Sequence, residues 1–211
     1  GAVLDPGRIP GLTEHTHHPY DLPSAERLRD ALHRFTGGRV TVAIASLPYK
    51  CPAAPYETAM LIDGYLRQRG IRDVSLVAMY TPEPLPLPVA GPQAGYSVAA
   101  ELAARGITFH PRTPLEGVEP TALRFGGELV PHDLAVVIPP HRPPDVIAKS
   151  SLAGPNGWIP VDRATLRTRA SNVYAIGNST VILLENGLAL PKAGVFAHGE
   201  AEVVAGNIAR R

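Results

Sequence analysis

Cysteine is almost missing from this 211-residue sequence, which contains a single one, Cys51. One cysteine excludes a disulfide within the chain and a zinc site built from several cysteines. Long apolar runs are missing as well: there is no stretch of about 18 apolar residues, so no membrane-spanning helix is predicted. Charge of one sign is also lacking, because the net charge is +1 and the basic residues are scattered. This charge distribution argues against nucleic acid as a partner.

Proline is abundant instead, with 23 residues, where a typical chain has roughly 5%. Two clusters, at 82–88 and 139–144, indicate loops. The apolar share of 45% and the charged share of 18% are those of a folded globular protein.

Strand and helix patterns alternate through the middle of the chain. The predicted elements are a helix capped by Ser24 and ended by Gly37-Gly38, a strand at 39–45, a helix at 53–69 ended by Gly70, a strand at 73–79, a helix at 93–105, a strand at 107–110, a hairpin around Gly126-Gly127, a strand at 134–138, a strand at 173–176 and a helix at 194–209. Short connections within 39–79 predict a parallel, right-handed crossover. We therefore expect an α/β fold with a Rossmann-like domain over 38–145. The flanks at 1–37 and 146–211 have too few strands to close a sheet, so we expect an incomplete chain.

The loop after the first strand decides whether the Rossmann-like domain can bind a dinucleotide. Such loops carry glycines, because the backbone has to approach the pyrophosphate at a helix N-terminus. Residues 46–55 contain no glycine and three prolines, which lack the N–H donors that a phosphate needs. We therefore do not expect a nicotinamide nucleotide at this loop.

Cys51 is the reactive group that this loop offers, one or two residues before the predicted helix. A helix N-terminus favours negative charge, and Lys50 is adjacent, so we expect the thiolate form to be stabilised. A buried structural cysteine is the open alternative, since most free cysteines are of that kind. Disulfide chemistry would in addition need a partner that this sequence does not contain.

Three neighbouring histidines, His15, His17 and His18, raise the question of a metal site. No cysteine or carboxylate stands at ligand spacing on a defined element beside them. We interpret the segment as a solvated loop and predict no metal.

Three further segments resemble one family. Residues 48–57 (Pro-Tyr-Lys-Cys-Pro-Ala-Ala-Pro-Tyr-Glu) resemble the redox-cysteine segment of sulfide:quinone oxidoreductases and of the flavin subunit of flavocytochrome c sulfide dehydrogenase. Residues 172–178 (Asn-Val-Tyr-Ala-Ile-Gly-Asn) resemble the second flavin motif of the pyridine nucleotide-disulfide oxidoreductase superfamily. Residues 190–197 (Leu-Pro-Lys-Ala-Gly-Val-Phe-Ala) resemble the start of the helix that this superfamily aims at the flavin.

The resemblance implies a function and a set of site residues. It implies that Cys51 carries sulfur and passes electrons to FAD, which hands them to a quinone or cytochrome. The implied cofactor-binding residues are Gly177, Asn178, Lys192, Ala193 and Gly194, where Lys192 and the helix N-terminus stabilise the reduced flavin. The flanks at 1–37 and 146–211 become parts of a split FAD-binding domain around an NAD(P)-binding-like domain at 38–145. The parent enzyme is expected in the cytoplasm or peripheral to a membrane.

Departures from the family qualify these expectations. The family's G-x-G-x-x-G turn should precede Gly1 and its second redox cysteine should follow Arg211, so we expect an internal fragment that does not retain FAD. The usual Asp of the second flavin motif is replaced by Asn178, which brings no charge. Two alternatives stay open: an NAD(P)H dehydrogenase of the same superfamily, and a non-catalytic module whose flavin chemistry has decayed.

Overall fold

A computed structural model describes residues 1–210. The helices are α1 (Leu12–His15), α2 (Leu22–Arg34), α3 (Ala54–Gln68), α4 (Pro92–Ala104), α5 (Asp145–Ala148) and α6 (Gly194–Ala209). The strands are β1 (Val3–Leu4), β2 (Gly38–Ile44), β3 (Ser75–Tyr80), β4 (Ile107–His110), β5 (Leu115–Glu119), β6 (Ala122–Phe125), β7 (Glu128–Pro131), β8 (Leu134–Ile138), β9 (His141–Arg142), β10 (Ile159–Pro160) and β11 (Thr180–Val181). No helix among residues 1–210 is long and apolar enough to cross a membrane.

The described chain divides into two compact units. Unit 1 comprises Gly1–Leu4, Pro48–Pro52 and the chain from His141 onward, and unit 2 comprises Asp5–Leu47 and Ala53–Pro140. The division predicted from the sequence, at 1–37, 38–145 and 146–211, concerns the cofactor domains of a longer enzyme and stays a prediction.

A four-stranded parallel sheet in the order β4-β3-β2-β8 forms the centre of unit 2. Every residue of β8 is buried, as are the last five residues of β2, because the sheet is covered on both faces. The predicted parallel connection is confirmed: β2 and β3 pair in parallel, and α3 connects them. The expected α/β class, with its parallel sheet, is therefore correct.

An antiparallel sheet in the order β5-β6-β7 also belongs to unit 2. The predicted hairpin is confirmed, and its turn residues Gly126 and Gly127 have φ values of 56° and 80°, which glycine adopts without a steric cost. Leu123 and Phe125 of β6 are buried in a cluster that includes Leu12 of α1. This cluster fixes the short helix α1 to unit 2.

The start of α2 corrects one prediction. The N-cap is Asp21, whose carboxylate accepts a hydrogen bond from the Ser24 backbone N–H at 2.8 Å. Ser24 lies inside the helix, so its predicted capping role is wrong. The helix begins earlier because Pro23 fits the first turn, where an N–H has no intrahelical partner.

The strand predicted at 173–176 is also wrong. Tyr174 forms one isolated antiparallel bridge with Arg167, and a 3₁₀ turn, Gly177–Ser179, follows. A strand needs a partner along several residues, and in the described chain only this single bridge pairs the segment. The β-propensity of its residues was therefore not sufficient to form a strand.

The expectation of a solvated histidine loop is wrong as well. The His17 backbone forms a parallel bridge with Val136 of β8, with hydrogen bonds of 3.0 Å to the Ala135 carbonyl and 2.8 Å from the Val137 N–H. His18 is buried. The segment extends the edge of the parallel sheet, because the backbone groups of β8 still need partners on that side. Within residues 1–210, no group of three or more His, Cys, Asp and Glu is arranged to hold a metal.

Unit 1 has little regular structure apart from α6. Its two small sheets pair β1 with β9 antiparallel and β10 with β11 in parallel. The predicted closing helix is confirmed as α6, which has 16 residues.

Candidate active site

Cys51 lies in the segment Pro48–Pro52, which belongs to unit 1. Its side chain is exposed, and its φ of 59° lies in the left-handed region. Non-glycine residues rarely adopt this conformation, and backbone strain of this kind concentrates at functional sites. The Cys51 N–H donates a 2.7 Å hydrogen bond to the Lys192 carbonyl, and Lys50 and Lys192 form a parallel bridge. The structure thus joins the segments around Cys51 and Lys192, which lie far apart in the sequence.

Lys192 is a buried lysine, with only 7% of its surface exposed. Its ammonium donates hydrogen bonds to the carbonyls of Asn178, at 3.0 Å, and Thr180, at 2.9 Å. The same nitrogen lies 3.5 Å from the ring centroid of Trp158, in a cation–π contact. Burial lowers the pKa of Lys192 to about 8, although the negative charge of Glu200 opposes this shift.

Gly177 and Asn178 form the turn that Lys192 holds. Gly177 has a φ of 67°, and a Cβ at this position would lie 3.2 Å from the Ala197 Cβ of α6. The Gly177 N–H donates to the Glu200 carboxylate of α6 at 2.5 Å. Glycine is therefore needed here both for the turn and for its close approach to α6. Within the described residues, no hydrogen bond of the Asn178 side chain is found.

Ala193 and Gly194 begin α6. Ala193 is the N-cap, with no side-chain hydrogen bond to the cap and no acidic residue in the first turn. Gly194 and Val195 are exposed, and the space beside Gly194 is open. The first N–H groups of a helix have no intrahelical partner and carry a partial positive charge. The start of α6 can therefore receive an electron-rich or anionic group.

These residues fit one edge of a flavin. The exposed N–H groups at the start of α6 suit the flavin edge that becomes negative on reduction. The pyrophosphate of FAD requires a glycine-rich turn, and the 211 residues contain no G-x-G sequence. The 211 residues thus contain no G-x-G turn of the kind that binds these phosphates.

Unit 2 carries a buried acidic residue shortly after β3. In Rossmann-type domains, an acidic residue of this region binds the ribose of the nucleotide. Glu83, which closely follows β3, is buried and accepts a 2.5 Å hydrogen bond from the Tyr56 hydroxyl of α3. The Thr81 hydroxyl lies 3.3 Å from the same carboxylate oxygen. The Tyr56 hydroxyl thus already donates to one oxygen of this carboxylate.

Two proteins with sequences similar to this chain carry the same name. A mitochondrial sulfide:quinone oxidoreductase of Mus musculus is 28% identical over 200 residues, which covers 85% of this chain and 43% of that protein. The Dictyostelium discoideum protein of the same name is 27% identical, with coverages of 95% and 46%. No protein-family model matches the sequence. The resemblance to sulfide:quinone oxidoreductases is confirmed.

Solved structures agree on the fold. The sulfide:quinone oxidoreductase of Aquifex aeolicus superposes with a TM-score of 0.84 at 24% identity, covering 99% of this chain and 52% of that chain. An NAD-dependent persulfide reductase of A. fulgidus gives a TM-score of 0.69 at 19% identity, with coverages of 99% and 38%. This chain spans about half the length of the sulfide:quinone oxidoreductases that it matches. The fold is therefore shared with these two enzymes.

Trp158 and Glu200 were missed as site residues from the sequence. Glu200 stands in the middle of α6, where a carboxylate has no signature of its own. Trp158 did offer a signal, because it is the only tryptophan in a chain whose aromatic share is 6%. A buried tryptophan in a region of little regular structure usually has a specific partner.

Proposed function

We propose that this chain contributes the redox cysteine and the flavin-edge residues of an enzyme that oxidises sulfide or a related sulfur nucleophile. FAD is the cofactor, and a quinone or cytochrome is the final acceptor. The hydrogen bond from Cys51 to the Lys192 carbonyl carries the proposal, because it joins the redox-cysteine segment to the flavin-binding segment. The homology to sulfide:quinone oxidoreductases supports the same substrate class.

The chemistry assigned to Cys51 is the formation of one sulfur–sulfur bond. The Cys51 sulfur bonds to the sulfur of hydrogen sulfide, both sulfurs lose a proton, and two electrons leave. When bound, FAD accepts these two electrons. The exposure of Cys51 gives a sulfur nucleophile access to the thiol.

The start of α6 is assigned the stabilisation of negative charge. Its free N–H groups are fixed in direction by a long helix, so they need no rearrangement when charge develops. Lys192 adds a positive charge to the same segment, while its nitrogen is engaged by the carbonyls of Asn178 and Thr180. Direct contact of this nitrogen with a flavin would require it to leave those carbonyls.

The NAD(P)H dehydrogenase alternative is disfavoured by unit 2. Residues 46–55 contain no glycine, and the Glu83 carboxylate is bound by Tyr56. We expect no saturable binding of NADH to the chain at micromolar concentrations. A fluorescence titration of NADH that saturates in this range would restore the alternative.

The alternative of a decayed, non-catalytic module differs in the reactivity of Cys51. We expect iodoacetamide to alkylate Cys51 at neutral pH faster than it alkylates free cysteine, because its side chain is exposed and reactive cysteines are exposed beside a basic residue, here Lys50. Mass spectrometry of timed samples gives the rate, and Cys51→Ser provides the zero-rate control. A rate no faster than that of free cysteine would favour the decayed module.

Retention of FAD is a separate question. Because the chain lacks a glycine-rich phosphate turn, we expect the purified 211-residue protein to show no flavin absorbance. A stoichiometric yellow cofactor in the purified protein would contradict this expectation.

A further inference from the structure

Lys192 contacts two of the predicted site residues in unit 1, Cys51 and Asn178. Its carbonyl accepts the Cys51 N–H, and its ammonium binds the carbonyls of Asn178 and Thr180. The residue after it, Ala193, is the N-cap of α6. One side chain and its own peptide group thus connect the cysteine, the turn and the helix start.

The contacts of the Lys192 nitrogen suit an ammonium and not a neutral amine. An ammonium has three donors and no acceptor. Two of its partners are carbonyl oxygens, and the third is the π face of Trp158. All three partners are electron-rich, so each is attracted by a positive charge. A neutral amine would give up this attraction and direct a lone pair at one of them.

We propose that Lys192 is a positioning residue that, when protonated and supported by the Trp158 ring, holds the turn Gly177–Ser179 in register with the Cys51 segment. We call the group formed by Lys192, Trp158 and the carbonyls of Asn178 and Thr180 the lysine clasp. The inference rests on the proposed function, which assigns the chemical roles of the two segments that the clasp positions. The clasp itself is a property of this chain and does not require FAD to be bound.

The Lys192 ammonium loses its proton within a pH range that experiments on the folded protein can cover. Burial lowers the pKa of Lys192 from the ordinary 10.5 to about 8, with Glu200 acting in the opposite direction. The other titratable side chains on the paired segment Pro48–Pro52 belong to Tyr49, Lys50 and Cys51. The buried charge therefore lowers global stability while it orders the site, a combination found where proteins place functional charges.

Trp158 allows the clasp to be observed directly, because it is the only tryptophan in the chain. A charge within 3.5 Å of the indole centroid changes its emission. In the 211-residue protein without flavin, we expect the emission of Trp158 to change between pH 6 and 10 with a midpoint near pH 8. Lys192→Met should abolish this transition. Lys192→Arg, which keeps its charge across the range, should show a flat profile at all pH values.

Hydrogen exchange tests whether the clasp positions its neighbours. At pH 7, we expect the amides of 49–52 and 176–181 to exchange about tenfold faster in Lys192→Met than in the wild type, the loss expected for about one charge-assisted hydrogen bond. Peptides from β2 and β8 should keep their protection, which excludes general unfolding. In the wild type, protection of 176–181 should fall with the same midpoint as the Trp158 emission. In Trp158→Leu, this midpoint should move down by about one pH unit.

Two results would overturn the proposal. One is a flat Trp158 emission between pH 6 and 10 in a protein whose circular dichroism is unchanged. The other is equal protection of 49–52 and 176–181 in the wild type and in both variants, Lys192→Met and Trp158→Leu. Neither measurement involves sulfide, FAD or the reactivity of Cys51, so the clasp and the proposed function can fail independently.

Discussion

Asp63 in unit 2 and Lys192 in unit 1 are both buried charged groups, and their partners differ in kind. In unit 2, Asp63 is fully buried and forms ion pairs with Arg67, at 2.9 Å, and with Arg72. Burial alone would raise the pKa of Asp63, but the two guanidinium groups outweigh it and hold the pKa below its usual value. In unit 1, Lys192 has carbonyl dipoles and one aromatic ring as partners, and its pKa falls to about 8.

The comparison distinguishes a charge that is kept at neutral pH from one that is lost when a proton dissociates. Asp63 is paired with full opposite charges, so it stays ionised at any pH near neutrality. Lys192 is bound by dipoles that compensate only part of the cost of burial, so it can lose its proton near pH 8. The first arrangement stabilises α3 in unit 2, and the second suits a site whose geometry depends on protonation.

Removal of the Asp63 carboxylate should have the largest effect on stability. We expect Asp63→Ala to lower the free energy of unfolding by about 3 kcal/mol, because it leaves the half-buried guanidinium cluster without its counter-charge. Urea unfolding followed by circular dichroism measures the change. The matched control is Asp30→Ala, which breaks the exposed pair of Asp30 with Arg29 and should cost less than about 1 kcal/mol. Equal losses in the two variants would show that Asp63 is not a structural charge.

The second prediction concerns the pH dependence of the Lys192 contribution. Below pH 8, both the folded and the unfolded chain carry the Lys192 charge, whereas between pH 8 and 10.5 only the unfolded chain keeps the proton. The free energy of unfolding of the wild type should therefore rise relative to that of Lys192→Met as the pH increases through this window. Between pH 7.5 and 9.5, the relative gain should be about 2 kcal/mol. A difference between wild type and Lys192→Met that is the same at both pH values would remove the contrast with Asp63.

The smallest predicted difference, about 1 kcal/mol between two glycine variants, concerns the turn that the clasp holds. Gly177→Ala should lower the free energy of unfolding by about 2 kcal/mol, from the left-handed backbone and from the approach of the new methyl group to Ala197. Gly187 has a similar φ, 78°, with open space around it, so Gly187→Ala should cost only about 1 kcal/mol. The difference, measured by urea unfolding, isolates the packing of the turn on α6. If Gly187→Ala cost as much, close packing at Gly177 would be excluded.

The parallel sheet could be predicted from the sequence, because strands that are buried on both faces read as continuous apolar runs. The bounds predicted for β4 and β8 were correct, and β2 differs by one residue at each end. The cap of α2 could not be chosen in advance, since Asp21 and Ser24 are both competent caps. The segment at 173–176 could not be predicted either, because strand formation depends on a partner far away in the chain.

The candidate site divides in the same way. Cys51 and Lys192 were identified by their resemblance to family segments, and their positions beside a loop and a helix start followed from local patterns. Their hydrogen bond was not predictable, since it joins backbone groups far apart in sequence. The contact of Lys192 with Trp158 was also not predictable. Neither residue lies in a helix or strand whose periodicity would indicate where its side chain points.

Sulfur transfer to Cys51 tests the central claim most directly. The 211-residue protein would be incubated with polysulfide without oxygen, so that one zero-valent sulfur can move to the thiolate and no external oxidant is needed. Intact-mass and peptide measurements then follow the persulfide on Cys51, with Cys51→Ser and free cysteine as controls. We predict a persulfide on Cys51 that forms faster than on free cysteine and is absent in Cys51→Ser. Formation no faster than on free cysteine would contradict the assignment of Cys51 as the sulfur-carrying residue.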